Sequence, residues 1–368
     1  MFRKMSSLPL LALILLVTAF AAAAQSGRVM PTPTPETPVR IVTEEVKLNV
    51  LAFDEDGGFA QGLQPEDLVI TENDVIHQPS TVRRLPATVL IVMDTGGELR
   101  SVKGLKQTQK VATALVAALK PEDSIAVMQY NDKPKLLSEW TSNKDVATAA
   151  IGRAGFGKHD AFVKALAMAK DFFTKSSAEN KHIVLITDGT DSYNNFANKS
   201  RAMRDLLSSD LTVHVLSYTR MEIVDIEPRT KMLSKTPPPK AMPDEVAATL
   251  PNGVRDIAQA PKIGPTINLD RKLLKTLRER KSDLETSEEQ LTYLAQNTNG
   301  EMIIPETKEE MIAKAALVAD MIDASYVVTY MPKIPIAETG GVRDITVTSK
   351  KPRVIVEAHR KLVISNDR

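Results

Sequence analysis

Cysteine is absent from this sequence of 368 residues. Disulfide bonds, thiolate metal sites, cysteine nucleophiles and a lipid anchor on cysteine are therefore excluded. An excess of charge is also missing, because 47 Lys and Arg residues face 46 Asp and Glu residues, for a formal net charge of +1. This balance predicts no nucleic acid partner and no attraction to an anionic membrane surface.

Hydrophobic runs of membrane-spanning length are missing beyond the N-terminus. There, Arg3 and Lys4 precede an apolar run from Leu8 to Ala24 that ends in three alanines. This pattern predicts a Sec-type signal peptide over residues 1–24, and hence a protein secreted to the periplasm or the extracellular space. An uncleaved membrane anchor is the alternative, because the run is close to spanning length. After signal removal no membrane span remains.

The sequence is organised around two apolar runs that each end in an aspartate. The first is Val89–Asp94, followed by Thr95, Gly96, Gly97 and Glu98; the second is His182–Asp188, followed by Gly189. Short apolar runs rich in β-branched residues are typical of strands buried on both faces of a parallel sheet. Strand, acidic residue, tight turn and helix is the layout of a ligand site at the carboxyl end of such a strand.

These two runs resemble the first and fourth strands of a von Willebrand factor A (VWFA) domain. From about Val39 to Ile364, the chain resembles the VWFA-related secreted proteins of Acidobacteria, which place a β-rich segment before the A domain and a β-rich tail after it. Gly62–Leu68 resembles the family's GLxxxDF segment. The resemblance implies an α/β fold with a doubly wound, mostly parallel, Rossmann-like sheet. It also implies a flanking β-sandwich module built from the N- and C-terminal segments.

The predicted organisation has five parts. They are a signal peptide (1–24), a Pro-rich linker (25–38), an N-terminal β module (39–85), the A domain (86–324) and a C-terminal β tail (325–368) that packs with the N-terminal module. Between residues 220 and 284 the alternation of strands and helices breaks off, and this stretch is predicted to be an irregular insert with one basic helix, Arg271–Arg280. Long inserts of this kind are usually functional covers or disordered. This one is expected to border the loop edge of the sheet.

The resemblance implies a cation site known as a MIDAS, made by Asp-x-Ser-x-Ser on one loop, a threonine on a second and an aspartate on a third. In this sequence Asp94 and Asp188 match the two aspartates. Gly96 and Glu98 stand at the serine positions, so both hydroxyl ligands are absent. The site is therefore predicted to be degenerate.

Counting back from Ala165 and Leu166 places the threonine position at Asp160, whereas counting from Gly157 places it at Lys158. If Asp160 and Glu98 turn inward, the site gathers four carboxylates and can bind Mg²⁺ or Ca²⁺. If Lys158 turns inward, its ammonium replaces the cation in a buried salt bridge with the two matched aspartates. Asp191 and Ser192 are expected to cap the helix that follows their turn.

The predicted function is non-enzymatic binding by an interaction or adhesion module. A partner protein or cell-envelope polymer would dock at the loop edge formed by Asp94, Gly96, Lys158, Asp188 and Asp191. One alternative is a metal-dependent hydrolase that uses the carboxylate cluster, although the sequence contains none of the common hydrolase or phosphate-binding motifs. The other is a structural envelope scaffold with a vestigial site.

Overall fold

The structure is a computed structural model that describes residues 45–97, 102–193, 196–235, 250–260, 264–335 and 341–364. The predicted signal peptide, the predicted linker and Glu98 lie outside these ranges. The described strands are β1 (Val46–Asp54), β2 (Leu68–Glu72), β3 (Val75–His77), β4 (Thr81–Arg83), β5 (Thr88–Asp94), β6 (Ser124–Tyr130), β7 (Pro134–Thr141), β8 (Lys181–Thr187), β9 (Thr212–Ser217), β10 (Leu233–Ser234), β11 (Thr266–Ile267), β12 (Met302–Ile303), β13 (Ser325–Tyr330), β14 (Gly341–Ser349), β15 (Val354–Glu357) and β16 (His359–Ile364). The described α-helices are α1 (Leu105–Ala118), α2 (Lys144–Gly152), α3 (Phe162–Thr174), α4 (Phe196–Leu207), α5 (Thr219–Ile226), α6 (Asn252–Gln259), α7 (Arg271–Asn297) and α8 (Lys308–Asp323).

Six of the described strands form a central sheet in the order β12-β9-β8-β5-β6-β7. Neighbouring strands run parallel, apart from β7, which is antiparallel to β6 at one edge. Along β5, Val89, Ile91 and Met93 belong to one hydrophobic core, and Leu90 and Val92 belong to the other. Helices α1, α2 and α8 cover the first face, and α3, α4 and α7 cover the second. This arrangement confirms the predicted doubly wound, mostly parallel α/β sheet.

Two further four-stranded sheets form the flanking β-sandwich, in the orders β15-β1-β13-β4 and β16-β14-β2-β3. Every pairing within them is antiparallel, and each sheet combines strands from both ends of the chain. Their inner faces share one core, to which Val50 and Ile70 contribute from the N-terminal part and Val328 and Val347 from the C-terminal part. The predicted sandwich is confirmed. Apolar patterns predict three strands in the tail, at Tyr326–Tyr330, Asp344–Thr348 and Val354–Glu357, and the structure adds a fourth, β16.

The stretch predicted as an irregular insert contains more regular structure than expected. Helix α5, a 3-10 turn (Glu227–Thr230), the β10-β11 ribbon and α6 precede the long helix α7. The predicted basic helix is only the first part of α7, which continues without a break through Asn297. The buried residues of α7 include Leu274, Leu277, Leu284 and Leu291, whose spacing keeps them on one face of a single helix. Leu277 and Leu284 pack against Ile223 and Ile226 of α5. Farther along the helix, Leu291 belongs to the core on the second face of the central sheet.

Candidate functional site

Three aspartates meet around one lysine at the carboxyl edge of the central sheet. Asp94 ends β5, Asp188 directly follows β8, and Asp160 lies just before α3. Lys103 Nζ lies 2.8 Å from Asp94 Oδ2, 2.8 Å from Asp188 Oδ2 and 3.3 Å from Asp160 Oδ1. All four residues are at most 3% exposed. They form a buried group that we call the ionic cluster.

Neighbouring hydroxyl and amide groups donate further hydrogen bonds to the cluster. Tyr130 Oη donates to Asp94 Oδ2 at 2.8 Å, and Thr187 Oγ1 donates to the same oxygen at 3.2 Å. The backbone N–H and the Oγ1 hydroxyl of Thr190 donate to Asp188 Oδ1 at 2.8 and 2.7 Å. Buried carboxylates are tolerated only when such donors replace the water they have lost, so the site is built for charge at these oxygens.

The insert contributes a second cation, Arg280 of α7. Its Nη2 donates to Asp188 Oδ2 and to Glu222 Oε2, each at 2.9 Å, and its Nη1 donates to Thr190 Oγ1 at 2.6 Å. Farther along α7, Leu291 packs so closely on Gly189 that a Cβ added there would lie 2.6 Å from Leu291 Cδ1. The helix therefore covers the Asp188 side of the edge.

Burial and neighbouring charge together set the protonation of the cluster. Burial lowers the pKa of Lys103, but Asp160, Asp188 and Asp94 outweigh it and hold that pKa well above its ordinary value. Burial raises the pKa of Asp160 to about 9, and the Asp94 charge adds to the rise. For Asp188, Lys103 and Arg280 outweigh burial and hold the pKa below its usual range. At neutral pH Asp160 is therefore protonated, whereas Lys103 and Asp188 are charged.

The described residues do not fit the divalent cation that the resemblance implies. The Lys103 ammonium already contacts both matched aspartates at 2.8 Å. A hydroxyl ligand cannot stand at Gly96, because an added Cβ would lie 2.1 Å from His159 O and 2.5 Å from Asp160 Oδ1. Within the described ranges, no group of three or more His, Asp or Glu side chains is arranged to hold a metal ion.

The salt bridge predicted for Lys158 is made by a different lysine. Lys158 is exposed, and it is Asp160 that turns inward. The apolar pattern from Val102 to Leu119 predicts a helix that would include Lys103, but α1 begins at Leu105 after Gly104, its N-cap. Lys103 therefore lies in the loop before the helix, where its side chain can reach inward. A glycine directly after this lysine is the one sequence signal that could have placed it there.

Asp191 and Ser192 both form hydrogen bonds with the segment around Asp160. Asp191 Oδ2 accepts a hydrogen bond from the Val163 N–H at 2.9 Å, so it caps the start of α3; residues 194 and 195, which precede α4, lie outside the described ranges. Ser192 Oγ accepts from the Asp160 N–H at 2.8 Å. Both residues therefore hold the loop that carries Asp160 into the cluster.

The two loops next to Asp160 and Asp188 carry three side chains that we call the aromatic rim: Phe156, His159 and Tyr193. Phe156 is 56% exposed and Tyr193 is 48% exposed. The rings of His159 and Tyr193 lie 5.9 Å apart between centroids. Asp132 fixes both of them, because its Oδ1 lies 2.8 Å from His159 Nδ1 and its backbone carbonyl accepts from Tyr193 Oη at 3.0 Å. Sequence reasoning did not single out this surface.

Residues 89–190 match the family model for the von Willebrand factor type A domain. This match and the sheet described above show that the chain contains a von Willebrand factor type A fold, a class whose members typically serve as protein-interaction modules. None of the helices in the described part of the chain has the length and apolar content needed to cross a membrane. A comparison with curated proteins found no match.

The chain shows partial similarity to several solved structures. The vWF domain of the type V pili tip protein Mfa5 from Porphyromonas gingivalis is 25% identical, covering 29% of this chain and 38% of its own, with a TM-score of 0.26. A von Willebrand factor type A protein from Catenulispora acidiphila is 11% identical, covering 88% of this chain and 74% of its own, with a TM-score of 0.42. An aerotolerance-related membrane protein from Bacteroides fragilis is 16% identical, covering 64% and 98% respectively, with a TM-score of 0.38.

Proposed function

We propose that the protein is a secreted, non-enzymatic interaction module that binds an acidic segment of a partner protein at the aromatic rim. In this proposal the degenerate cation site lies sealed beneath the contact surface and supports it. The single observation that carries the proposal is the pair of exposed, fixed rings, His159 and Tyr193, at the carboxyl edge of the parallel sheet. This edge is where ligands bind in open α/β sheets.

The rim has the chemistry of a protein-contact surface. Tyrosine and phenylalanine are enriched in interfaces because each ring provides a large contact area with few rotatable bonds. Asp132 holds Tyr193 and His159 before any partner arrives. Since little side-chain freedom remains to be lost, binding at this surface carries a smaller entropic cost.

The charge around the rim favours an acidic partner. Three exposed lysines lie close to the rim residues in sequence or in contact: Lys158 is on the loop of Phe156 and His159, Lys133 follows Asp132, and Lys164 is in α3. Lys164 Nζ lies 4.9 Å from the Tyr193 ring centroid, so one of them is already part of the aromatic surface. Complementary charge raises association rates and makes binding sensitive to salt. Acidic side chains on the partner would therefore meet the lysines directly, without a bridging metal.

The N-terminal sequence supports the proposed secretion. The predicted signal peptide and the resemblance to the VWFA-related secreted proteins of Acidobacteria support a periplasmic or extracellular location. An adhesion role at the cell envelope agrees with both.

Site-specific photo-cross-linking tests this function in cells that produce the full chain. A photoreactive phenylalanine analogue replaces Tyr193 or Phe156, and the matched controls replace Val342 or Ile355 of the sandwich, which are 56% and 53% exposed. We expect a discrete, protease-sensitive product at the rim positions only. Raised salt and the Lys158→Glu/Lys164→Glu variant should both reduce its yield.

Three results would contradict the proposal. Equal products at rim and control positions would mean that the rim has no specific partner. If neither raised salt nor the charge-reversal variant lowers the yield of the product, the partner segment is not acidic. A product degraded by glycosidases but not by proteases would replace the protein with an envelope polymer.

The two alternative functions predict other outcomes. A hydrolase needs carboxylates that reach substrate, but Asp94 and Asp188 are fully buried and bound to an ammonium. A scaffold that binds through its sandwich would give products at Val342 or Ile355 instead of the rim.

A further inference from the structure

One carboxylate oxygen brings together the two cations of the site. Asp188 Oδ2 accepts from Lys103 Nζ at 2.8 Å and from Arg280 Nη2 at 2.9 Å. Lys103 belongs to the loop before α1, whereas Arg280 belongs to the helix of the insert. Together they bring two positive charges to the position where an A domain of the standard pattern would use one divalent ion.

The donor count of Lys103 matches its surroundings. An ammonium has three N–H donors, and a carboxyl oxygen from each of three aspartates lies within 3.3 Å of Lys103 Nζ. The lysine is therefore fully engaged although it is 3% exposed. A buried charge with all its donors used is retained, whereas a buried charge lacking partners would be costly.

The surrounding backbone leaves no space for the missing hydroxyl ligand. Gly96 sits against the His159 carbonyl, and Gly189 sits against Leu291, at distances that exclude a side chain at either glycine. The first position would carry a serine in a working cation site. The loop and the insert helix are thus packed around the lysine, not around a site for a hydrated ion.

We infer that Lys103 and Arg280 together replace the divalent cation of this A domain, and that they fasten the insert helix α7 to the sheet edge. The carboxylates at this edge of the sheet are then neutralised by Lys103 and Arg280, and α7 shields them from solvent. This inference is independent of the rim and of its partner, so either proposal can fail without the other.

Calorimetric titration and thermal melting of the chelated mature chain give the first test, with MgCl₂ and CaCl₂ as probes. The wild type should show no saturable heat and no shift in melting temperature. Lys103→Ser removes the ammonium and leaves the carboxylates, so it should gain saturable binding and a rise in melting temperature of about 4 °C or more with the ion. The gain should vanish in Lys103→Ser/Asp188→Asn. Lys103→Met, which fills the volume without charge, should not gain it.

Lysine acetylation of the native wild type, read by peptide mass spectrometry, does not depend on whether any variant folds. Lys103 should react at least about tenfold more slowly than the exposed Lys158, because it reacts only when the structure opens locally. Saturating Mg²⁺ or Ca²⁺ should leave the Lys103 rate unchanged.

Other results would overturn the inference. They are saturable, Asp188-dependent ion binding by the wild type, acetylation of Lys103 at the rate of Lys158, or release of Lys103 to the reagent when an ion is added. A folded Lys103→Ser variant that matches the wild type in stability and binds no ion would also do so.

Discussion

Arg280 and Asp188 are 92 positions apart in sequence, yet their side chains form a hydrogen-bonded ion pair at 2.9 Å. Asp188 follows a strand of the central sheet, and Arg280 belongs to the helix of the insert. The pair is mostly shielded from water, because the Arg280 side chain is 15% exposed and Asp188 is fully buried. The pair therefore links two parts of the chain whose contact no local sequence pattern predicts.

The same substitution at two aspartates of the cluster should affect stability differently. Asp188→Asn removes a charge that Lys103 and Arg280 both contact, so it should lower the free energy of unfolding by about 3–5 kcal/mol. Asp160 has a pKa of about 9, so its carboxyl is already neutral at pH 7.5. Asp160→Asn should therefore be neutral or stabilising at that pH. Urea unfolding of both variants measures this, and equal losses would show that the protonation assignment is wrong.

Removing Arg280 should loosen the insert helix and leave the central strands unchanged. In Arg280→Met, amide hydrogen exchange should rise in the first half of α7 and in α5, because Glu222 loses the same partner. Lys275→Met is the matched control, since the Lys275 side chain is 78% exposed on the same helix. Equal exchange in the two variants would mean that Arg280 does not hold the helix.

Restoring the serine of the cation motif should damage the fold. Gly96→Ser places its Cβ 2.1 Å from a backbone oxygen, and we expect a loss of about 3 kcal/mol or more in the free energy of unfolding. Gly152→Ala is the control, because a Cβ there meets nothing within 4 Å at the end of α2. That variant should gain about 0.5 kcal/mol from the helix preference of alanine. A stable Gly96→Ser variant would show that the loop can open.

A buried histidine pair should make the protein sensitive to acid. His182 Nδ1 and His214 Nε2 lie 3.2 Å apart, and both residues are fully buried. Burial lowers the pKa of His214 to about 4, and burial together with the His214 charge holds the pKa of His182 well below its usual value. Because the unfolded chain takes up protons first, this stability is complete above pH 6.5 and is lost as pH falls toward 4.

Urea unfolding between pH 7.5 and 4 measures the effect, which is on the order of 3 kcal/mol for His214. His214→Gln retains a hydrogen-bond acceptor for the Glu301 N–H but does not titrate. Its pH dependence should be shallower than that of the wild type, whereas the carboxylates contribute equally to both. Parallel curves would contradict the prediction.

Much of the architecture could be predicted from patterns of apolar residues. The runs Val89–Asp94 and His182–Thr187 were predicted as buried strands, and the structure extends each by one residue at its start. Such runs are informative because a strand covered on both faces must be apolar throughout. The continuity of α7 was missed, since its charged outer face hides a buried stripe with long gaps between leucines.

The chemistry of the site was only partly predictable. Asp94 and Asp188 follow apolar strands, and their meeting at one sheet edge follows from parallel topology. Lys103 and Arg280 have no such signal, because a loop lysine and a helix arginine look like ordinary surface cations in sequence. Only the three-dimensional packing of the insert shows that both are turned inward.

The sandwich is made from both ends of the chain, and this has a consequence for how the protein matures. Strand β1 lies between β13 and β15, so Val46 pairs with Tyr330 and Leu51 pairs with Glu357. Because synthesis proceeds from the N-terminus, the edges of β1 stay unpaired until the whole A domain has been synthesised. Unpaired strand edges can pair with the wrong strand or with another chain. A chain cut short anywhere in between would keep those edges. Both edges of β1 can therefore be paired only after the chain has been synthesised through β15.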